Sequence, residues 1–71
     1  MLPLTKEQEV ALGAELAAKR QEHADLDAAI STLVASGRAD QMLMQRMKKR
    51  KLGLKDRIVQ LETLLIPDII A

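Results

Sequence analysis

The sequence predicts an all-α protein in which two helices fold back on each other as an antiparallel, coiled-coil-like hairpin. Apolar residues recur at alternating intervals of three and four along two long segments, which is the pattern of a heptad-type helix. A short segment that favours a turn separates them. The 71-residue chain has no aromatic residue, and its 48% of apolar residues are Leu, Ala, Ile, Val and Met, which are mostly good helix formers. A large β-sheet core is therefore not expected.

The first predicted helix covers about residues 5–35. Thr5 followed by Gln8 is a capping-box pattern, in which each side chain bonds a backbone N–H that the first turn leaves without a partner. The face expected to pack against the second helix, here called the inner seam, then takes every third or fourth residue. On this helix the inner seam consists of Leu12, Leu16, Lys19, His23, Leu26, Ile30 and Leu33.

The stretch "ASGRAD" predicts a turn at about residues 36–40. Gly37 suits the left-handed conformation that ends many helices, and Asp40 suits the N-cap of the next helix. Because the link is only a few residues long, the two helices are expected to lie side by side and antiparallel.

The second predicted helix covers about residues 40–65, and Pro67 lies where a helix should stop because proline has no backbone N–H. Its inner seam consists of Met44, Met47, Lys51, Leu54, Ile58, Leu61 and Leu65. Residues 66–71 form an apolar C-terminal tail. The whole chain, residues 1–71, is interpreted as one helical-hairpin domain.

The inner seams of the two helices match if Leu33 is paired with Met44. Leu26 then lies level with Lys51, and Leu16 lies level with Leu61. Every layer receives at least one apolar residue, while the aliphatic stems of the seam lysines cover core surface and their ammonium groups reach water. Seam lysines of this kind fix the register of the pairing.

Charge is unevenly distributed along the chain although the net charge is only +1. The first helix is mainly acidic and the second mainly basic, which favours antiparallel pairing through flanking ion pairs. The expected neighbours are Glu22 with Arg50 or Arg57, Asp27 with Lys48, and, unfavourably, Arg20 with Lys55.

A second apolar stripe lies on the outer side of the second helix, where Leu52, Val59 and Ile66 recur at seven-residue spacing. The first helix is rich in alanine, which allows another helix to approach closely. We therefore expect self-association, with two hairpins forming a four-helix bundle, and docking of a helical protein partner is a further expectation. The predicted protein interface consists of Leu52, Gly53, Val59, Ile66, Ile69 and Ile70.

Two features of this predicted interface have alternative readings. Gly53 inside a helix either permits close approach of another backbone or is merely tolerated. The tail residues Ile69 and Ile70 either fold back over the bundle or dock on another subunit, with peripheral membrane contact as a weaker reading.

The basic run "RMKKRK" raises nucleic-acid binding as an alternative function. The candidate contact residues are Arg46, Lys48, Lys49 and Arg50. On a helix these charges spread around the circumference, and no aromatic residue is present to stack on bases. The sequence therefore favours an ordinary solvated face over nucleic-acid contact.

Catalytic, cofactor and metal sites are not predicted. His23 is the only histidine, and Arg20 stands where a di-metal bundle would need a glutamate, so His23 is interpreted as an edge-of-core residue bonded to a carboxylate or carbonyl. A pH-sensitive bundle is the minority reading of His23. Hydroxyl groups occur without a base and an orienting group, and no glycine-rich phosphate loop is present, so an enzyme is not expected.

Cysteine is absent, which excludes disulfides and thiolate chemistry and makes the reducing cytoplasm the simplest location. No run of eighteen apolar residues occurs, and the first residues lack the pattern of an export signal. We expect a cytoplasmic protein without a transmembrane segment.

Two motifs resemble the YdcH-like family of small bacterial proteins. The first is His23, Leu26 and Ile30 in "EHADLDAAI", and the second is "KLGLKDRI", residues 51–58. The resemblance covers about residues 16–65, with Ala39 in place of a frequent proline and Met47 in place of leucine. It implies a helical hairpin and brings no established activity.

Overall fold

The computed structural model describes residues 4–38 and 40–65, which form two helices. Helix α1 is Lys6–Ser36 and helix α2 is Gln41–Leu65, and the two pack against each other along the chain's long axis. The predicted all-α hairpin is confirmed, and the helix boundaries lie within one residue of those expected. Pro67 and the tail residues 66–71 lie outside the described residues.

Helix α1 begins with the predicted capping box. The Gln8 N–H donates to Thr5 Oγ1 at 3.1 Å, and the Thr5 N–H donates to Gln8 Oε1 at 2.9 Å. Glu7 and Glu9 lie in the first turn, where the positive end of the helix dipole favours negative charge. Local chemistry alone therefore accounts for where α1 starts.

The turn follows the predicted chemistry at both of its ends. Gly37 has φ 71° and ψ 11°, a left-handed conformation in which its N–H donates to the carbonyl of Val34 at 3.2 Å. Asp40 Oδ1 accepts hydrogen bonds from the N–H groups of Met42 at 2.7 Å and Leu43 at 3.2 Å, which is the contact of an N-cap residue. These bonds satisfy backbone groups that the helix ends would otherwise leave unpaired.

The inner seam forms a small apolar core. Among the described residues the buried apolar side chains are Leu16, Ile30, Leu54, Ile58 and Leu61. Leu16, Ile58 and Leu61 form one cluster, against which Leu12 and Leu65 pack. The cluster agrees with the register that sets Leu16 level with Leu61. All the remaining seam positions are half-buried, including both seam lysines.

Ion pairs between the helices flank the inner seam on both sides. Glu22 Oε2 lies 3.8 Å from Arg50 Nη2, and Glu15 accepts two hydrogen bonds from Arg57, at 2.7 Å from Nε and 2.9 Å from Nη2. The expected pairing of Glu22 with Arg50 is confirmed. On the opposite flank Lys51 Nζ donates to Asp27 Oδ1 at 2.7 Å.

Two charged residues of α1 have ion-pair partners that the sequence interpretation did not name. Asp27 pairs with Lys51, a half-buried residue of the inner seam, rather than with Lys48, which is exposed beside the seam. Arg20, which was expected near Lys55, donates from Nη2 to Glu62 Oε2 at 2.7 Å. Long side chains lean toward the N-terminus of their own helix, which carries Arg20 along the seam toward this carboxylate.

Candidate protein interface

Two of the three apolar residues of the predicted outer stripe, Leu52 and Val59, lie on the side of α2 that faces away from α1. Leu52 is 65% exposed and Val59 is 48% exposed. Two helical turns, about 10.5 Å, separate them along the helix. Neither side chain belongs to the core cluster, so the fold of one chain does not explain why these positions are apolar.

Gly53 lies beside Leu52 and is exposed. A Cβ atom built on Gly53 would meet no neighbouring atom within 4 Å. Packing within the described chain therefore does not require a glycine at this position, although glycine in a helix is less favourable than alanine by about 1 kcal/mol.

The remainder of this outer face of α2 is polar. The exposed polar side chains between and beside the apolar ones are Gln45, Arg46, Lys48, Lys49, Lys55, Asp56, Gln60 and Thr63. Lys49 and Asp56 are seven residues apart and therefore share one side of the helix. Within the described residues, neither of these two takes part in an ion pair or a side-chain hydrogen bond.

A shallow groove lies near the C-terminal end of α2, and its lining includes one apolar residue that the sequence interpretation missed. The groove is lined by Arg57, Val59, Gln60, Thr63 and Leu64. Leu64 is 46% exposed and follows Val59 by five residues, so it falls outside the seven-residue repeat that defined the outer stripe. The signal available in the sequence was the pair Leu64–Leu65, of which only the second belongs to the inner seam.

The outer face of α1 is lined by small side chains. Ala14, Ala17, Ala24 and Ala28 are all exposed, as is Val10 near the start of the helix. The structure thus leaves the alanine-rich side of α1 open, as the helical spacing indicated.

The electrostatics of the hairpin are set by its cross-helix ion pairs. The hydrogen bonds from Arg57 lower the pKa of Glu15 below its ordinary value of 4.5. The hydrogen bond from Lys51 likewise lowers the pKa of Asp27 below 3.8. The pKa of Arg57 is raised by the same contact with Glu15. All three groups therefore stay charged at neutral pH.

The four candidate nucleic-acid contacts are exposed, and three of them share one side of α2. Lys48 and Arg50 are two residues apart and point about 160° away from each other around α2. Arg50 also lies near the carboxylate of Glu22. Arg46, Lys49 and Arg50 lie within about 100° of one another around α2, so Lys48 is the residue that points elsewhere.

The structure also places His23 and describes the groups that could bind a metal or span a membrane. His23 is half-buried, and no hydrogen bond joins its ring to another described residue. Within residues 4–38 and 40–65, no three His, Cys, Asp or Glu side chains are grouped as metal ligands would be. Neither described helix has the length and apolar character needed to cross a membrane. Ile66, Ile69 and Ile70 lie outside the described residues.

The hairpin exposes more surface than a compact monomer of its mass. Its accessible surface is 5800 Å², whereas a folded monomer of 7.9 kDa has about 4400 Å². Its radius of gyration is 15.7 Å, against about 11 Å for a compact domain of this length. One hairpin therefore leaves a large area that a partner surface can cover.

The fold and this surface define the class of the protein. It is a small all-helical protein whose described core lies along one seam and whose outer face is partly apolar. The model of the family described as "Protein of unknown function (DUF465)" matches residues 16–62, and the chain belongs to this family. The match falls within the stretch that resembles the YdcH-like proteins and is consistent with that resemblance, although it shows only the family of unknown function. No curated protein and no solved structure matches the chain.

Proposed function

We propose that the protein is a non-enzymatic, cytoplasmic interaction module that self-associates through the outer face of α2, two hairpins forming a four-helix bundle. The observation that carries this proposal is the exposure of Leu52 and Val59, two large apolar side chains one heptad apart on a helix whose opposite side already holds the core. Removing them from water in a dimer adds apolar burial that a single hairpin lacks.

The size of the core supports the proposal. Five buried apolar residues in the described part of the chain are few for a domain that has neither a disulfide nor a grouping of described residues suited to a metal. Chains of this length commonly gain stability from a second subunit. The sequence pattern also assigns Ile66, Ile69 and Ile70 to this interface, and these three residues lie outside the described part of the chain.

The test is the mass of the particle in solution. Sedimentation equilibrium of the full chain should give a dimer, and the double variant Leu52→Glu/Val59→Glu should give a helical monomer. A matched control is Val10→Glu/Val34→Glu, which places the same charges on exposed valines of α1. A double variant of α2 with the mass of the unchanged protein would contradict the proposal.

Nucleic-acid binding through Arg46, Lys48, Lys49 and Arg50 is the second candidate function, supported by the exposure of all four side chains. If several of them contact phosphates, affinity should fall steeply as salt rises, with a slope of about 0.9 per contact on a log–log plot. Fluorescence anisotropy of a labelled duplex at several salt concentrations measures this slope. Binding that shows no salt dependence, or that survives reversal of all four charges to Glu, would eliminate this candidate.

A further inference from the structure

We infer that two copies of the chain meet with their α2 helices antiparallel, crossing at a twofold axis that passes midway between Leu52 and Gly53. This inference rests on the proposed self-association and adds to it the orientation, the register and the charged residues that determine them. The occupant of the outer face is therefore a second copy of this chain.

The first argument for this arrangement is charge complementarity between the two copies. Lys49 and Asp56 are exposed on the outer face on either side of Leu52, and within the described residues neither has an oppositely charged partner. Rotation about the proposed axis brings Lys49 of each copy to Asp56 of the other, so the symmetry produces two intermolecular ion pairs. A parallel arrangement in register would set each of these charges against its own copy, and such like-charge contacts are unfavourable.

The spacing along the helix fits this arrangement. Lys49 and Asp56 lie equally far from the axis, about 5 Å along the helix on either side. Both ion pairs therefore lie near the crossing point, where the helices are closest. Farther out along this line, Gln45 comes level with Gln60 of the other copy, and Met42 with Thr63, and both of these pairs are uncharged.

The second argument for this arrangement is the position of Gly53. It adjoins the axis, it is exposed, and no atom of the described chain lies within 4 Å of the place of a Cβ. A residue without a side chain at this point lets Leu52 of the other copy rest against the backbone of α2. The arrangement thus gives the glycine a role that the single chain does not supply.

Charge reversal tests the inference, with the dissociation constant of the full chain measured by sedimentation equilibrium. Lys49→Glu and Asp56→Lys should each weaken the homodimer about tenfold or more, because each creates two repulsive contacts. The double variant Lys49→Glu/Asp56→Lys restores opposite charges and should dimerise within a few-fold of the unchanged protein. Lys6→Glu is the control, since this exposed lysine lies on α1, away from the proposed contact between the two α2 helices, and it should leave dimerisation within a few-fold.

The sharpest measurement mixes the two single variants. In a heterodimer, Glu at position 49 faces Lys at position 56 and Lys49 faces Asp56, so both contacts are favourable. Native mass spectrometry should therefore detect a 1:1 heterodimer at concentrations where each variant alone is monomeric. Because the heterodimer forms from the variants themselves, this result would also show that both variants fold.

Gly53→Ala supplies a second readout, because it should weaken dimerisation, whereas Gly13→Ala in α1 should leave it unchanged. If the unchanged protein dimerises but charge reversal at Lys49 or Asp56 has no effect, the antiparallel arrangement is wrong and the proposed self-association stands. If the unchanged protein is a monomer, both are wrong.

Discussion

The two ends of the hairpin are held together in different ways. At the open end, where α1 begins and α2 ends, Leu61 is fully buried, and Leu16 and Ile58 complete its cluster. At the turn end Ile30 is the one buried apolar residue among those described, and the seam residues around it, such as Met47, are half-buried. The tighter core thus lies far from the connection.

The difference follows from chain connectivity. Near the turn the short link itself keeps the helices close, so backbone geometry and caps are sufficient there. At the open end more than forty residues separate Leu16 from Leu61 along the chain, so closing that long loop requires side-chain packing. The doubly hydrogen-bonded pair of Glu15 and Arg57 adds to the attraction at this end.

The largest expected effect is loss of the core at the open end. Leu61→Ala should lower the free energy of unfolding by about 2–5 kcal/mol, because it removes a fully buried side chain and leaves a cavity. Met47→Ala, the matched change near the turn, should cost less because Met47 is half-buried. Urea unfolding followed by far-ultraviolet circular dichroism measures both. Equal losses would show that the two ends are not packed differently.

A smaller effect is expected at the turn itself. Gly37→Ala should destabilise the hairpin by about 1–2 kcal/mol, because an L-residue is disfavoured in the left-handed conformation with φ 71°. Gly13→Ala is the control of opposite sign: it lies within α1 with open space at its Cβ, and it should stabilise by up to about 1 kcal/mol. Thermal unfolding compares them, and a stabilising Gly37→Ala would contradict the role of the turn.

Substitutions at the two N-caps test the difference between the two ends of the hairpin with a smaller expected effect. Asp40→Ala and Thr5→Ala should each cost about 1 kcal/mol of helix stability. At the open end the loss should appear as faster amide exchange in the first turn of α1, whereas at the turn it should loosen the start of α2. Hydrogen exchange read by NMR distinguishes the sites. Unchanged exchange at Met42 and Leu43 in Asp40→Ala would show that their bonds to Asp40 are not protective.

The smallest effect concerns pH. Because the folded pKa of Glu15 is lowered, its contribution is present above the ordinary value of 4.5 and is lost as pH falls through the lower folded value. Asp27 behaves alike, starting from 3.8. Stability should therefore fall on acidification below about pH 4.5, and Glu15→Gln and Asp27→Asn should each flatten the curve slightly. Both carboxylates are partly exposed, so high salt should reduce these differences, and a curve unaltered by either variant would show that the ion pairs are immaterial.

Elements governed by local chemistry were predictable from the sequence. The capping box at Thr5, the left-handed Gly37 and the cap at Asp40 each depend on neighbouring residues, and the inner seams depend on periodicity. Partners of long charged side chains were less predictable. Lys51 rather than Lys48 reaches Asp27, although the two lysines, three residues apart, point only about 60° away from each other around the helix.

The apolar residues of the outer face of α2 could be predicted from their spacing, but the function of this face could not. Leu52 and Val59 were visible at seven-residue spacing, whereas Leu64 does not follow the repeat and became visible only with its groove. What covers this face depends on a second molecule, about which one chain's periodicity carries little information.

The link that joins the helices has a practical consequence. Gly37, Arg38 and Asp40 are exposed, and the core cluster lies at the far end of the molecule. Chain-closure entropy grows only logarithmically, by about 0.6 kcal/mol for each doubling of loop length. An affinity tag or a fluorescent reporter spliced between Arg38 and Asp40 should therefore be tolerated, which offers a handle on the protein that touches neither the inner seam nor the outer face of α2.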